Sequence, residues 1–309
     1  MSEDGKEVVD SKKLHKYDGA FYSKKTMNIN GGDKGTGKLN IKAENEGLDT
    51  ELHLTINGGI INITSGNDGI NTNEDNVSVT TMNGGTLNIL CDGSTGEGDG
   101  IDSNGWLVIN GGTITAQACS SSSDAGIDSD KGIYINGGKV IASGNMLDHI
   151  AGGNQTYAVF NFVSRQKGSE TYTLKNSAGK VVGEYAPMNA FTYLIVAGSE
   201  ITPDDYTFWQ GTTQLSGIKT QNIGGGMPQG QRPQMPNGEP GTPPEKPNGE
   251  FPQGERPEMP NGEMPKGMTP PDNEGGMMGG NMIPSEESSI IFTITKGGNQ
   301  FSNVAQVAS

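Results

Sequence analysis

Along the first half of the chain, short runs of Ile, Leu, Val and Thr alternate with polar residues, and each run breaks at the same tripeptide. The phrases are "MNINGG", "LTINGGIINI", "TMNGGTLNI", "VINGGTITA" and "YINGGKVIA". Alternation of period two over four to six residues predicts strands. Asn and Gly accept turn conformations at low cost, so Asn-Gly-Gly is a tight corner. One such corner alone suggests a hairpin. The five asparagines, however, are Asn30, Asn57, Asn83, Asn110 and Asn136, spaced by 27, 26, 27 and 26 residues. A steady period of this length points to stacked repeats.

The repeat beginning at Leu54 holds a strand, the Asn-Gly-Gly corner, a second strand, a Gly-centred corner and a third short strand, Gly69-Ile70-Asn71-Thr72. Three strands and three bends in about 26 residues make one turn of a parallel β-helix, in which each strand pairs with its equivalent one turn on. The expected fold is therefore all-β, with about five such turns over residues 17–152. At about 4.8 Å per turn they stack into a rod on the order of 25 Å long. An antiparallel sandwich with frequent turns would leave the period unexplained.

Beyond Gly144 the phrase stops, and aromatic-rich strands such as "AVFNFV", "ETYTLKNSAGKVVGEY", "FTYLIVAG" and "DYTFWQG" follow. Residues 153–222 are expected to form an antiparallel β cap over the open end of the coil. Residues 223–284 hold 14 of the 16 prolines and 8 of the 13 methionines and cannot bury a core, so a disordered Pro/Gly/Met-rich insertion is expected. "SIIFTITKGG" then returns a last strand to the cap within residues 285–309, and residues 1–16 form a poorly ordered amino-terminal segment.

A second phrase recurs with the first: "EGLDT" (46–50), "DGINT" (68–72), "DGIDS" (99–103) and "AGIDS" (125–129). In a coil, Glu46, Asp68 and Asp99 form one column, and Asp49, Asn71, Asp102 and Asp128 another. Carboxylates one rung apart repel unless a cation neutralises them. Oxygen-only donors at this density point to Ca²⁺; zinc is disfavoured by three histidines and two separated cysteines. Asp92, Glu97 and Asp124, on longer insertions beside the columns, are secondary ligand candidates, Asp124 standing one residue before Ala125. The alternative for each acid is a corner cap facing water.

Composition narrows the partners. The 309 residues carry 36 acidic and 21 basic side chains, a formal charge of −15. That balance opposes nucleic acid, whose phosphates need Lys and Arg. No stretch reaches the roughly 20 apolar residues of a membrane span, and the amino terminus lacks the apolar core of a signal peptide. Cys91 and Cys119 sit at nearly equivalent points of consecutive repeats, as two buried thiols or a bridge between turns.

Tandem "INGGTITA" and "DGIDS" turns, an aromatic β segment and a Gly/Met/Pro-rich stretch before a final strand together resemble the bacterial carbohydrate-binding domain family of calcium-binding parallel β-helix proteins, of the clostridial cellulose- and pectin-binding type. The likeness spans about residues 15–300. It implies a right-handed coil of the pectate-lyase-like superfamily, bound Ca²⁺ at the "DGI(D/N)(S/T)" positions, and non-catalytic binding of plant cell-wall polysaccharide. It also implies an extracellular or cell-surface location, and a monomer is expected. Trp106 and Tyr134 follow the acidic columns at like points in successive turns and are candidates to stack on sugar rings, with Lys131 beside the columns. A calcium-dependent lyase would need a Lys or Arg base, for which Lys131 is the one candidate in the coil. A surface scaffold or adhesin for a protein partner is the remaining alternative.

Overall fold

The alternating pattern forms the strands it predicts. The computed structural model describes residues 19–220 and 287–307. All of them lie in one of two units into which the chain divides. The amino-terminal segment and the Pro/Gly/Met-rich insertion expected from sequence lie outside the described residues.

Among the described residues every regular element is a strand. Three parallel sheets wind along the coil. The first contains β1 (Gly19–Ser23), β4 (Glu46–Thr50), β7 (Ile70–Thr72) and β10 (Ile101–Ser103), and a bridge from Ile101 to Ile127 adds a fifth rung. The second contains β2 (Thr26–Ile29), β5 (His53–Ile56), β8 (Val79–Met82), β11 (Trp106–Ile109), β13 (Ile133–Ile135) and β15 (Ile150–Gly152). The third contains β3 (Lys38–Lys42), β6 (Ile60–Ser65), β9 (Thr86–Cys91), β12 (Thr113–Gln117) and β14 (Lys139–Gly144). The result is a solenoid of about five turns, and β15 carries the second sheet one rung past the last Asn-Gly-Gly.

Register explains both recurring phrases. Inward Leu48, Ile70 and Ile101 stack in the first sheet, Ile56, Met82, Ile109 and Ile135 in the second, and Ile61, Leu87, Ile114 and Val140 in the third. These form one continuous buried core. At the corner the second glycine of each Asn-Gly-Gly takes a positive φ, 100° at Gly59 and 85° at Gly85, where any side chain would be strained. The asparagines form a ladder: the Nδ2 of Asn57, Asn83, Asn110 and Asn136 each donates to the Oδ1 one turn back, at 2.8–2.9 Å. An open corner thereby acquires a side-chain bond for every rung.

The third sheet does not end with the solenoid. The strand β14 pairs antiparallel with β19 (Phe191–Ala197), which pairs with β16 (Tyr157–Gln166), so the last coil's edge is covered by the cap's own strands. The sheet continues through β23 (Gly298–Gln306), β21 (Thr213–Thr220), β20 (Asp204–Gln210), β17 (Tyr172–Asn176) and β18 (Val181–Tyr185), with β22 (Phe292–Ile294) against β20. Pairing in this region is antiparallel except for β16 with β23, which run parallel. Its core is separate and aromatic: Phe160 stacks on Phe208 at 4.1 Å between centroids and on Phe301 at 5.6 Å, with Phe292 edge-on to all three.

A loop before β19 also grips the solenoid's flank. The Asn189 Nδ2 donates to the carbonyls of Cys91 and Ala118 at 2.7 Å each, spanning two turns. Gln117 Oε1 accepts the N–H of Met188 at 2.6 Å, and Arg165 Nη1 donates to the Ser120 carbonyl at 2.6 Å.

Candidate functional site

The acidic phrase occupies the first sheet, and each of its positions has a physical role. The glycine admits the next coil: a Cβ on Gly47 would lie 2.5 Å from the Gly69 carbonyl oxygen, one on Gly69 2.6 Å from that of Gly100, and one on Gly100 would meet that of Gly126. The Leu or Ile that follows points into the core. The terminal Thr or Ser also points inward: Thr50, Thr72, Ser103 and Ser129 are buried, and Thr72 Oγ1 donates to Ser103 Oγ at 2.9 Å. What remains is the Asp or Asn between them, buried at Asp49 and half-buried at Asn71, Asp102 and Asp128. Asp49 pairs with Asn71, Asn71 with Asp102, and the Ile101–Ile127 bridge sets Asp128 beside Asp102.

The leading acids form the other column. The backbone bonds Gly47 N to Asp68 O, Gly69 N to Asp99 O and Gly100 N to Ala125 O, each 3.0 Å, align Glu46, Asp68, Asp99 and Ala125. Their carboxyls reach along the rod to the next coil: Asp68 Oδ1 accepts the Asp99 N–H at 2.7 Å and Asp99 Oδ1 the Ala125 N–H at 2.5 Å. Asp124, one residue earlier, accepts the Gly98 N–H at 2.5 Å and the Ser122 hydroxyl. The first column thus works as a series of caps between turns.

Burial and mutual repulsion raise the affinity of these acids for protons. Burial pushes Asp68 up to about 8 and Asp99 to about 9, against the amide hydrogen bond each accepts. Burial pushes Asp102 to about 6, with Asp130, Asp148 and Asp124 adding repulsion, and Asp128 to about 7, with Asp148 adding repulsion and a shared hydrogen bond. Among the described residues, the charged neighbours that chiefly act on these four are themselves acids. Two unit charges one rung apart at an effective permittivity near 20 repel by about 3 kcal/mol.

Asp148 and Asp130 belong to this cluster and were missed in sequence. Asp148 Oδ2 accepts the Ser129 N–H at 2.9 Å. It lies in "NMLDHIAGG", where the sixth rung lacks the Asn-Gly-Gly phrase; the acid following the last "DGIDS" unit was the available signal. Asp92 and Glu97 stand on an exposed loop, where Asp92 Oδ1 accepts the Ser94 N–H, and neither acts on the four raised acids. Asp49 Oδ1 accepts from Asn73 Nδ2 at 2.5 Å, and Glu46 Oε1 from Asn71 Nδ2 at 3.0 Å.

The aromatic candidates lie on the outer face of the second sheet and do not share a column. Trp106 registers with Val79, whereas Tyr134 registers with Val108, two residues further along the strand. The difference is set by position in the repeat: Trp106 stands four residues before its corner asparagine Asn110, and Tyr134 two before Asn136. The two rings are therefore diagonal across adjacent rungs. Cys91 and Cys119 are both buried free thiols.

Hard-cation chemistry matches the second column better than the first. Its donors are all oxygens, and the Oδ1 of Asn71, between Asp49 and Asp102, is buried without a hydrogen-bond partner. Among the described residues no three His, Cys, Asp or Glu side chains converge as a metal-holding group. Amide and backbone oxygens must therefore complete any such shell around Asp49, Asn71, Asp102 and Asp128, as calcium commonly allows.

Comparison with known proteins bears on this same stretch. A family model described as "Carbohydrate-binding domain-containing protein" matches residues 15–157, which include β1 to β15. The match supports a carbohydrate-binding domain there and fits a non-enzymatic role. Neither the curated proteins nor the solved structures returned a match. No helix among the described residues is long and apolar enough to cross a membrane.

Proposed function

We propose that the solenoid, matched by a carbohydrate-binding domain family, is a non-catalytic, calcium-dependent receptor for acidic plant cell-wall polysaccharide such as polygalacturonate, acting outside the cell or at its surface. The observation that carries the reading is the in-register column of the first sheet, whose principal charged neighbours among the described residues are acids. Asp49, Asn71, Asp102 and Asp128 would hold Ca²⁺, with Asp148 and Asp130 adding negative charge from the final turns. The ion supplies neutralisation of these carboxylates and an affinity for the carboxylates of a uronate chain. The protein's own contribution is spacing: adjacent rungs set the half-buried Asp102 and Asp128 about 4.8 Å apart, with Asn71 and the buried Asp49 behind them, so a sugar chain can meet both acids without ordering a loop. Trp106 and Tyr134 offer half-buried rings on the neighbouring sheet, and Lys131 an exposed cation at the corner between the two sheets.

Affinity electrophoresis through gels containing polygalacturonate tests the reading. Retardation in calcium that disappears in EGTA, and disappears in calcium for the Asp102→Asn/Asp128→Asn double variant, is expected. Equal mobility of wild type with and without calcium would overturn it, and release of unsaturated product would overturn the non-catalytic part.

A further inference from the structure

The cap contains a recess of about 370 Å³ that lies outside the family match. Its floor is apolar: Phe162, Leu215 and Val304 are buried beneath it. Its wall is a directed chain of amides. Gln306 Nε2 donates to Gln210 Oε1 at 3.1 Å, and Gln210 Nε2 to the Tyr172 hydroxyl at 3.1 Å. That hydroxyl donates to Gln166 Oε1 at 3.1 Å, and Gln166 Nε2 to the Ser164 carbonyl at 2.7 Å. A primary amide nitrogen carries two hydrogens, so each glutamine keeps one donor beyond the chain. The chain also fixes three long side chains in advance, which reduces the entropy lost on binding.

The rim carries Lys167 and Arg165, the latter also bonded through Nη1 to the Ser120 carbonyl, against Glu170. On a protein of charge −15 this is a local excess of positive charge, and a concave site concentrates such a field. The recess stands near the lower end of the range for small-molecule sites, roughly 300–1,000 Å³. An apolar floor suits the C–H face of a sugar ring, fixed amide donors suit neighbouring hydroxyls, and rim cations suit one carboxylate.

We infer that this recess is a second binding site, independent of the acidic face, for a single sugar-acid unit, either a free hexuronate or the end residue of a short chain. Calorimetric titration of the full chain in EGTA isolates it, because the cation-dependent reading of the solenoid is then silent. D-galacturonate is expected to bind with a millimolar Kd and D-galactose at least tenfold more weakly. Trigalacturonate binding as the monosaccharide does would identify chain ends as ligands, and its exclusion would identify the free acid. The exposed-rim double variant Gln306→Ala/Lys167→Gln is expected to lose at least tenfold in affinity at an unchanged melting temperature. No heat with D-galacturonate up to tens of millimolar, equal binding of galactose, or an unaffected double variant would overturn the inference.

Discussion

Replacing Asp99 by Asn probes the buried charge while keeping the structural bond. The amide oxygen can still accept the Ala125 N–H, which Asp99 Oδ1 accepts at 2.5 Å, but the side chain no longer ionises. Burial first, then Asp128, Asp68 and Asp102, raise the Asp99 carboxyl to about 9, against about 3.9 in an unfolded chain. Between those values the native state binds more protons than the unfolded state, so the contribution of this group is fully present below pH 4 and is lost as pH rises towards 9. Each unit corresponds to about 1.4 kcal/mol, giving a ceiling of about 5.5 kcal/mol at pH 8. Protonation of neighbouring acids and water entry relieve part of the strain, and we expect Asp99→Asn to gain about 2–3 kcal/mol at pH 8 in EGTA. For a domain of this size that is about 5–10 °C in Tm. Thermal melts of wild type and variant at pH 4 and pH 8, both in EGTA, read it. A variant no more stable at pH 8, or one gaining equally at pH 4, would refute the electrostatic reasoning.

Other perturbations address separate parts of the molecule. Calcium at about 100 times its Kd should stabilise wild type at pH 8 by about 2.7 kcal/mol, and Asp102→Asn/Asp128→Asn should abolish that rise in a chelator-reversible melt. Asn83→Ala removes its bonds to Asn57 and Asn110 and should cost about 1 kcal/mol, since each net bond on an exposed corner is small; denaturant melts measure it. Asn189→Ala strands the Cys91 and Ala118 carbonyls and should cost about 2–3 kcal/mol, with faster hydrogen exchange at Met188 and Ala190. Burial pushes the Cys91 thiol up to about 12, so it should resist alkylation at pH 8 in the folded protein and react once the protein is unfolded.

The solenoid was legible because its information is local and repeated. A side chain at Ile56 meets Met82 for the same reason that Met82 meets Ile109, so the spacing in sequence already specifies the contact. The two acid columns followed from the same register. Less legible was what depends on the exact rung. The displacement of Tyr134 from Trp106 is the exception, because it can be counted in the sequence: four residues before Asn110 against two before Asn136. Asp148 was hidden because the sixth rung lacks its asparagine corner. The division of labour between columns, with Asp68 and Asp99 bonded to the next turn's amides while Asn71 keeps a buried oxygen without a partner, depends on side-chain directions that no repeat encodes. The cap's order, with β23 between β21 and β16, joins segments more than 70 residues apart, and no local pattern specifies it.

Calcium-dependent capture of polygalacturonate is decided by calorimetric titration of the protein with that polymer, once in calcium and once in EGTA. Saturable binding in calcium, none from the acidic face in EGTA, and no unsaturated product in either are expected. Binding of equal strength in both would contradict it.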